Sequence, residues 1–277
     1  MGVINLADWA KNEKRLYEQN VANYTGGETV KIDIMTLFPD MCEKFLNESI
    51  IGRARAKGVA QFECRNIRDY THSKQGRVDD APFGGGTGLV MQVQPILSCF
   101  DAIKSGCEIP PHVIYMSPQG KPLTQERVKE LAQLPHIVIL CGHYEGVDER
   151  VLELIVNEEL SVGDFVVTGG ELPALMLTDA ITRLLPGTLR NEDAYSQESH
   201  YNGLLEHPQY TRPFEYEHEG KILTPPEILR SGHHANIVAW QKEQSILRTA
   251  QKRPDLLEKT LKAGGLESEE AGIGKLD

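Results

Sequence analysis

The sequence has no long hydrophobic run. No segment approaches the roughly 20 consecutive apolar residues that a membrane-spanning helix needs. Residues 1–30 alternate charged and polar groups, whereas a secretory signal needs an apolar block. We therefore expect no association with membranes and a location in the cytoplasm.

Cysteine is scarce, and its spacing is irregular. The number of cysteines is odd and no C-x-x-C pair occurs, which argues against both a disulfide framework and a zinc site. We expect reduced thiols that serve as packing residues and no metal-binding cluster. The five positions are Cys42, Cys64, Cys99, Cys107 and Cys141.

The chain also lacks an excess of positive charge. Its 29 Lys and Arg residues face 40 Asp and Glu residues, a net charge of -11, which disfavours a protein that grips nucleic acid by bulk charge alone. The acidity is concentrated, however. Residues 141–200 hold 12 acids against 3 arginines, whereas residues 210–263 hold 9 Lys and Arg against 7 acids. A few placed cations could still meet RNA, with modest affinity and a shallow salt dependence.

The hydrophobic pattern indicates an α/β protein. With 277 residues, 40% of them hydrophobic, the chain can form one large or two modest domains. Strand patterns at 31–37, 113–116 and 137–140 each lead through a turn or loop toward a helical pattern. This alternation predicts a mostly parallel, buried sheet flanked by helices, in which ligands bind at the carboxyl ends of the strands.

The same patterns divide the chain into segments. Residues 1–30 form a loose N-terminal extension, and 31–187 form the sheet-bearing domain. Residues 188–207 show little periodicity, which is typical of a functional or disordered loop between domains. Residues 208–265 are predicted to form a small all-α domain with helices at 225–229, 235–250 and 254–261. Residues 266–277 form an acidic tail.

Three glycine-bearing segments stand out. Two follow predicted strands or apolar runs and read CGHYEGVDER at 141–150 and SVGDFVVTGGELP at 161–173. Glycines there expose backbone groups to a small ligand, so the two loops suggest one shared pocket. The third reads DDAPFGGGTG at 79–88 and, by itself, favours a flexible surface loop. No strand–G-x-G-x-x-G–helix unit is present, which disfavours a dinucleotide oxidoreductase.

In their order and nearly letter for letter, these segments resemble the bacterial tRNA (guanine-N1)-methyltransferases. These are SPOUT-class enzymes that use S-adenosylmethionine, and their cofactor loops thread through one another as a deep trefoil knot. The resemblance spans residues 31 to about 262. It implies methylation of N1 of the guanosine immediately 3′ of the anticodon in tRNA. It also implies a homodimer with a shared active site, in which the interdomain loop of one subunit, here with Glu198, closes over the cofactor of the other.

The resemblance assigns a set of cofactor-binding residues. Glu145 would lie at the methionine end, where a carboxylate suits the ligand's sulfonium and amine, and whether a magnesium ion takes part stays open. Alternatives from the residues themselves are a Ser-Pro turn at 117–119 and a buried strand with a tight turn at 162–170. The implied set is Tyr115, Ser117, Pro118, Gln119, Gly142, Tyr144, Glu145, Gly146, Val162, Val167, Gly169, Gly170 and Pro173.

The resemblance also implies the catalytic residues Arg183 and Glu198, with Glu145. Arg183 would stabilise negative charge on the guanine O6, although a cation near the end of a helix also suits the helix dipole. Glu198 stands where the family usually has aspartate and would remove the N1 proton. His200 is a rival base with a pKa nearer neutrality, and a solvated acid in a mobile loop is the alternative for Glu198.

RNA contacts are implied at Asp79 and Gly88, and at Ser231 and Gly232, which we expect to open a helix whose N–H groups meet a phosphate. Lys242 adds positive charge. We expect Ile237, Trp240 and Leu247 to pack in the core, and neighbouring His233 and His234 do not suit one metal ion. Two other functions stay open: a SPOUT RNA methyltransferase with another target, and a non-catalytic RNA-binding regulator. The sequence does not say which tRNAs are preferred.

Overall fold

A computed structural model describes residues 29–107, 109–190 and 195–264. The chain divides after Arg190 into two compact units. The expectations for the N-terminal extension and the acidic tail fall outside the described residues, except that Thr29 and Val30 are described and Val30 begins the first strand. Among the described residues, no helix has the length and apolar character needed to cross a bilayer.

The first unit is built on a five-stranded sheet in which every neighbouring pair is parallel, in the order β2-β1-β6-β5-β7. This confirms the predicted α/β fold with a parallel sheet. A separate two-stranded antiparallel ribbon joins β3 to β4. The strands are β1 Val30–Thr36, β2 Ala60–Asn66, β3 Asp79–Asp80, β4 Val90–Met91, β5 His112–Pro122, β6 His136–Cys141 and β7 Glu158–Ser161.

Alternating residues of the central strands feed two hydrophobic clusters. Ile32 and Ile139 belong to one cluster, and Val138 and Leu140 belong to the other. The first cluster includes side chains of α1 Pro39–Leu46, α2 Ser49–Ala56, α4 Gln125–Leu131 and α6 Glu171–Thr182. The second includes side chains of α3 Val93–Lys104 and α5 Glu149–Ile155. The sheet is therefore covered on both faces, as parallel sheets require.

Strand β5 is longer than the sequence predicts. It continues through Ser117 to Pro122, where the Ser-Pro pair favours a tight turn. Its pairing with β7 shifts register between Met116 and Lys121, so the strand passes an irregularity and resumes. Thr124 caps the helix that follows, α4, because its Oγ1 accepts a hydrogen bond from the Arg127 N–H at 3.2 Å.

The expectation of an all-α second unit is wrong. Besides α7 His234–Lys252, α8 Pro254–Lys262 and a 3₁₀ turn at Glu227–Arg230, this unit contains a hairpin of β8 Tyr216–His218 and β9 Lys221–Leu223. Its turn residues Glu219 and Gly220 both have left-handed backbones, with φ of 51° and 77°. The most favoured two-residue hairpin turns have left-handed backbones at both central positions, where Asn, Asp and Gly are the usual residues. A glutamate at the first of these positions does not predict a hairpin.

The described core of the second unit is small. Ile246 and Leu257 are buried, with Leu204 and Leu261 packed against them. Leu247, expected in the core, is instead 46% exposed because α7 turns its neighbour Ile246 inward.

Part of the predicted interdomain loop packs within the second unit. The Leu205 N–H donates to Thr249 Oγ1 at 2.9 Å, and Thr260 Oγ1 donates to the Gly203 carbonyl at 2.7 Å. Residues 203–205 are therefore tied to α7 and α8 by hydrogen bonds.

Candidate active site

A cavity of about 440 Å³ lies where β5, β6 and β7 carry their loops. Its size suits a small organic ligand. The structure brings together, in its wall, every residue that the resemblance assigns to the cofactor: Tyr115, Ser117, Pro118, Gln119, Gly142, Tyr144, Glu145, Gly146, Val162, Val167, Gly169, Gly170 and Pro173.

An added Cβ at Gly142 or Gly170 would collide with a neighbouring residue. A Cβ on Gly142 would lie 2.6 Å from Tyr115 Oη, and a Cβ on Gly170 would lie 2.7 Å from Cys141 Cα. Both distances are far inside van der Waals contact, and the second involves backbone that cannot step aside. The glycines therefore allow the loops to pack against the sheet end while their backbone lines the cavity.

The loops after β6 and β7 form one wall. The Gly170 N–H donates to the Gly142 carbonyl at 2.9 Å, and His143 pairs with Gly169 in an isolated antiparallel bridge. The two glycine-bearing segments are thus held together by backbone hydrogen bonds. A ligand in this cavity contacts a composite surface that depends on both.

The wall combines apolar and polar groups. Leu160 and Val162 supply apolar surface, whereas Gln119 and Glu145 supply polar side chains. Burial raises the pKa of the Tyr115 hydroxyl, so this group stays neutral near pH 7. Such a lining suits an amphipathic ligand with a flat apolar part and a charged end.

The glycine segment 84–88 lies close to this cavity. Gly88 has a left-handed backbone with φ of 93°, and a Cβ there would overlap the Glu145 carboxylate. The Glu145 N–H donates to the Leu89 carbonyl at 2.9 Å. Asp79 lies on β3 opposite Met91 of β4. The structure therefore places the segment assigned to RNA contact beside the loop assigned to the cofactor.

Sequence reasoning missed a buried polar group next to this wall. The Thr36 hydroxyl donates to Glu171 Oε1 at 2.6 Å, and His143 Nε2 lies 2.6 Å from Glu171 Oε2. His143 also lines the cavity. The available signal was an acid directly after the Gly169-Gly170 pair, but its partners lie 135 and 28 residues away in the sequence.

Arg183 does not line this cavity. It caps the carboxyl end of α6, whereas Gly170 lies at the amino end of the same helix. A helix of 12 residues spans about 18 Å along its axis. One turn before Arg183, burial raises the pKa of Asp179, and the charge of Arg183 opposes that rise.

The remaining predicted residues belong to the second unit. Glu198 is half-buried, and its N–H donates to the Tyr195 carbonyl at 3.2 Å. His200 is exposed and has a left-handed backbone with φ of 72°. Lys242 is exposed on α7.

Ser231 and Gly232 do not open α7, contrary to expectation, because the helix begins at His234. The Ser231 hydroxyl instead donates to the Ile228 carbonyl at 2.8 Å and accepts from the His233 N–H at 3.2 Å. Within the described ranges, no group of three or more His, Cys, Asp and Glu residues is placed to hold a metal ion. All five cysteines are free thiols in this structure.

These features define an α/β protein whose parallel sheet carries, at the carboxyl ends of its strands, a glycine-lined cavity of a size that suits a small organic ligand. Comparison with known proteins identifies the family. A family profile described as "tRNA (Guanine-1)-methyltransferase TrmD" matches residues 30–259. The chain therefore belongs to this family of methyltransferases.

Individual relatives agree with the family profile. A tRNA (guanine-N(1)-)-methyltransferase of Ruminiclostridium cellulolyticum is 54% identical over 83% of this chain and 97% of its own length. A protein with the same name from Lachnospira eligens is 51% identical over 83% of this chain and 95% of its own length. One from Desulforamulus reducens is 49% identical over 82% and 89%.

Proposed function

We propose that this protein transfers a methyl group from S-adenosylmethionine to N1 of the guanosine immediately 3′ of the tRNA anticodon, in the cytoplasm. The observation that carries the proposal is that residues of three separate segments, 115–119, 142–146 and 162–173, line one cavity in a chain of this family. Residues far apart in sequence share a wall only if the fold assembles it, and this wall combines the surfaces that a nucleoside-linked methyl donor needs.

The residues present fit that donor. Leu160, Val162 and Pro173 offer apolar surface for a flat base, and Gln119 lines the same cavity with a polar side chain. Glu145 offers a carboxylate for the cationic end. When bound, the donor supplies a methyl group made electrophilic by a sulfonium. The proposal includes a role for Mg²⁺ at Glu145, and the test is whether a chelator lowers the rate of methyl transfer.

The chain's own residues would prepare the guanine. N1 carries a proton that must leave before a methyl group is added, and negative charge then develops on O6. Glu198 accepts that proton as general base, and the Arg183 guanidinium stabilises the oxygen. Glutamate reaches about 1.5 Å further than the aspartate usual in the family, one carbon–carbon bond. His200 is the alternative base.

We further propose that two copies share each active site. Pro173 is the last residue of α6 in the cavity wall, and Arg183 lies about 15 Å further along the helix axis, so the cavity of a second copy is the better candidate to receive it. An exposed apolar surface is available for pairing, and symmetric dimers are the commonest assembly. It is formed on α1 and α6 by Phe38, Met41, Phe45, Leu172 and Met176.

The trefoil knot is also part of the proposal. The hydrogen bond from Gly170 to Gly142 and the bridge between His143 and Gly169 support it, because they bring the two cofactor loops into contact. Tracing every chain crossing in an experimental structure would test this.

The test of the function is methyl transfer to a defined tRNA transcript and to a variant whose target guanosine is replaced by adenosine. We expect S-adenosylhomocysteine to form with the first transcript alone. Product with both transcripts would indicate a methyltransferase with another target. Product with neither, despite bound cofactor and tRNA, would indicate a non-catalytic RNA-binding protein.

A further inference from the structure

A buried carboxylate connects three segments around the cavity. Glu171 is 3% exposed and is the first residue of α6. Its Oε1 accepts from the Thr36 hydroxyl at the end of β1, and its Oε2 lies 2.6 Å from His143 Nε2 in the loop after β6. Because a carboxylate accepts, the imidazole donates. Both oxygens are therefore used, and the amino end of α6 also favours the negative charge.

The arrangement is not a nucleophilic triad. The Thr36 hydroxyl donates to the carboxylate and accepts from the Phe38 N–H at 2.9 Å, and Thr36 is fully buried, so the hydroxyl is not accessible to a substrate. Burying a carboxylate is unfavourable unless it is fully paired, and an apolar side chain would fill the same space at lower cost. A polar group in this place therefore suggests a role in fixing orientation.

The side chain whose orientation Glu171 would fix is His143. Its ring lies 4.9 Å from the Phe38 ring, and its Nε2 faces the carboxylate of Glu171. A Cβ on Gly169 would overlap the His143 ring, so the ring fills the space that the glycine leaves. The His143 carbonyl accepts from the Gly146 N–H at 3.0 Å, which closes the turn bearing the cavity-lining residues 144 and 145.

We propose that Glu171 is a positioning residue for the methyl donor. It holds His143 against Gly169, and thereby sets the loop after β6 and the loop after β7 in one fixed register. The inference rests on the proposed function, because it assigns the cavity to that donor. Glu171 itself does not line the cavity within the described part of the chain.

The test compares Glu171→Gln with a matched control. The amide is uncharged, so the bonds from Thr36 and His143 lose their charge assistance, and the amide nitrogen can face His143 Nε2 only if the imidazole changes its tautomer. We expect KM and Kd for S-adenosylmethionine to rise about tenfold or more, the effect of losing a charge-assisted hydrogen bond, while KM for tRNA changes less than twofold.

The control is Glu158→Gln. Glu158 is also paired with a histidine, His112, at 2.7 Å. It lies on β7 of the sheet whose strand ends carry the cavity, but it does not line the cavity. We expect this variant to lose stability without a change in either KM. If Glu171→Gln behaves in the same way, the positioning role is overturned.

A second pair of variants covers a failure of Glu171→Gln to fold. Thr36→Val removes one hydrogen bond to Glu171 at nearly constant volume, whereas Thr36→Ser keeps the hydroxyl. We expect Thr36→Val to raise KM for the donor several times more than Thr36→Ser does. Equal values would contradict the inference. Calorimetry on the unaltered protein separates the two proposals, since absence of donor binding there refutes the proposed function itself.

Discussion

The two compact units differ in how firmly they hold their functional residues. In the first, two hydrophobic clusters line the sheet, and the cavity is made largely of backbone at the ends of buried strands. In the described part of the second, Ile246 and Leu257 are the buried hydrophobic residues. The comparison suggests that the first unit holds a preformed donor site together with Arg183, whereas the proposed base Glu198 lies on a unit that opens more easily.

If the donor site and the catalytic residues act separately, variants of each should change a different kinetic quantity. Variants of the cavity should weaken binding of the methyl donor. Variants of Glu198 and Arg183 should slow the chemical step and leave donor binding unchanged. The following predictions use that separation, from the largest effect to the smallest.

Glu198→Gln should have the largest effect. Loss of a positioned general base is expected to lower the single-turnover rate ~10²–10⁴-fold, while the Kd for S-adenosylmethionine stays within twofold. Rapid-quench methyl transfer and calorimetry measure the two quantities. An unchanged rate, with a large loss in a parallel His200→Gln variant, would move the general base to His200.

Arg183→Ala should come next. Removing one donor to a developing oxyanion lowers rates ~10²–10³-fold. A mixed dimer tests where the residue acts. If one copy carries Arg183→Ala and the other Gly170→Ala, and the donor is held well below the Kd of the Gly170→Ala cavity, a shared site leaves one cavity intact and supplied with arginine by its partner. An inactive mixed dimer would contradict the shared site.

Gly170→Ala should impair donor binding with a smaller effect on the chemistry of any complex that forms. The added Cβ would lie 2.7 Å from Cys141 Cα, so the loop must move. We expect Kd for S-adenosylmethionine to rise roughly tenfold to a hundredfold, as for a loss of about 1.4–2.8 kcal/mol. Gly106→Ala is the control, because its Cβ would meet nothing closer than 3.7 Å. Equal Kd values would refute the steric argument.

Acid should weaken the first unit by a smaller amount. Burial disfavours the ionised form of Glu158, but hydrogen bonds from His112 and Arg127 outweigh it and lower its pKa to about 2. Because the folded pKa is depressed, this stabilisation is present above the unfolded value near 4.5 and is lost as pH falls toward 2.

The Glu158 contribution lost between pH 7 and pH 3 should be about 1–2 kcal/mol. Urea midpoints measured at both pH values should therefore depend less on pH in Glu158→Gln than in the parent. Glu258→Gln, which removes an exposed partner of Lys262, should leave the pH dependence unchanged. A parallel loss in both variants would contradict the assignment.

The two units also differ in how well the sequence predicts them. The strand patterns at 31–37 and 137–140 predict buried strands, and the loop at 141–150 appears as a glycine-bearing motif directly after its strand. The residues assigned to the cofactor from these motifs all lie in the cavity wall. The hairpin at 216–223 has no such signal, because its strands are three residues long and its turn places a glutamate in a left-handed conformation.

Long-range pairing is the other limit. No local pattern indicates that Glu171 reaches Thr36, 135 residues earlier, or that β5 continues beyond a Ser-Pro pair that favours a turn. The place of Arg183 is a similar case. Its motif predicts a role, but the length of α6 sets its distance from the cavity.

The most direct measurement is calorimetric titration of the full chain with S-adenosylmethionine and S-adenosylhomocysteine in the absence of tRNA. A preformed cavity predicts saturable binding of both ligands, at one site per chain, and weakened binding in Gly170→Ala but not in Gly106→Ala. A folded chain that binds neither ligand would contradict the account.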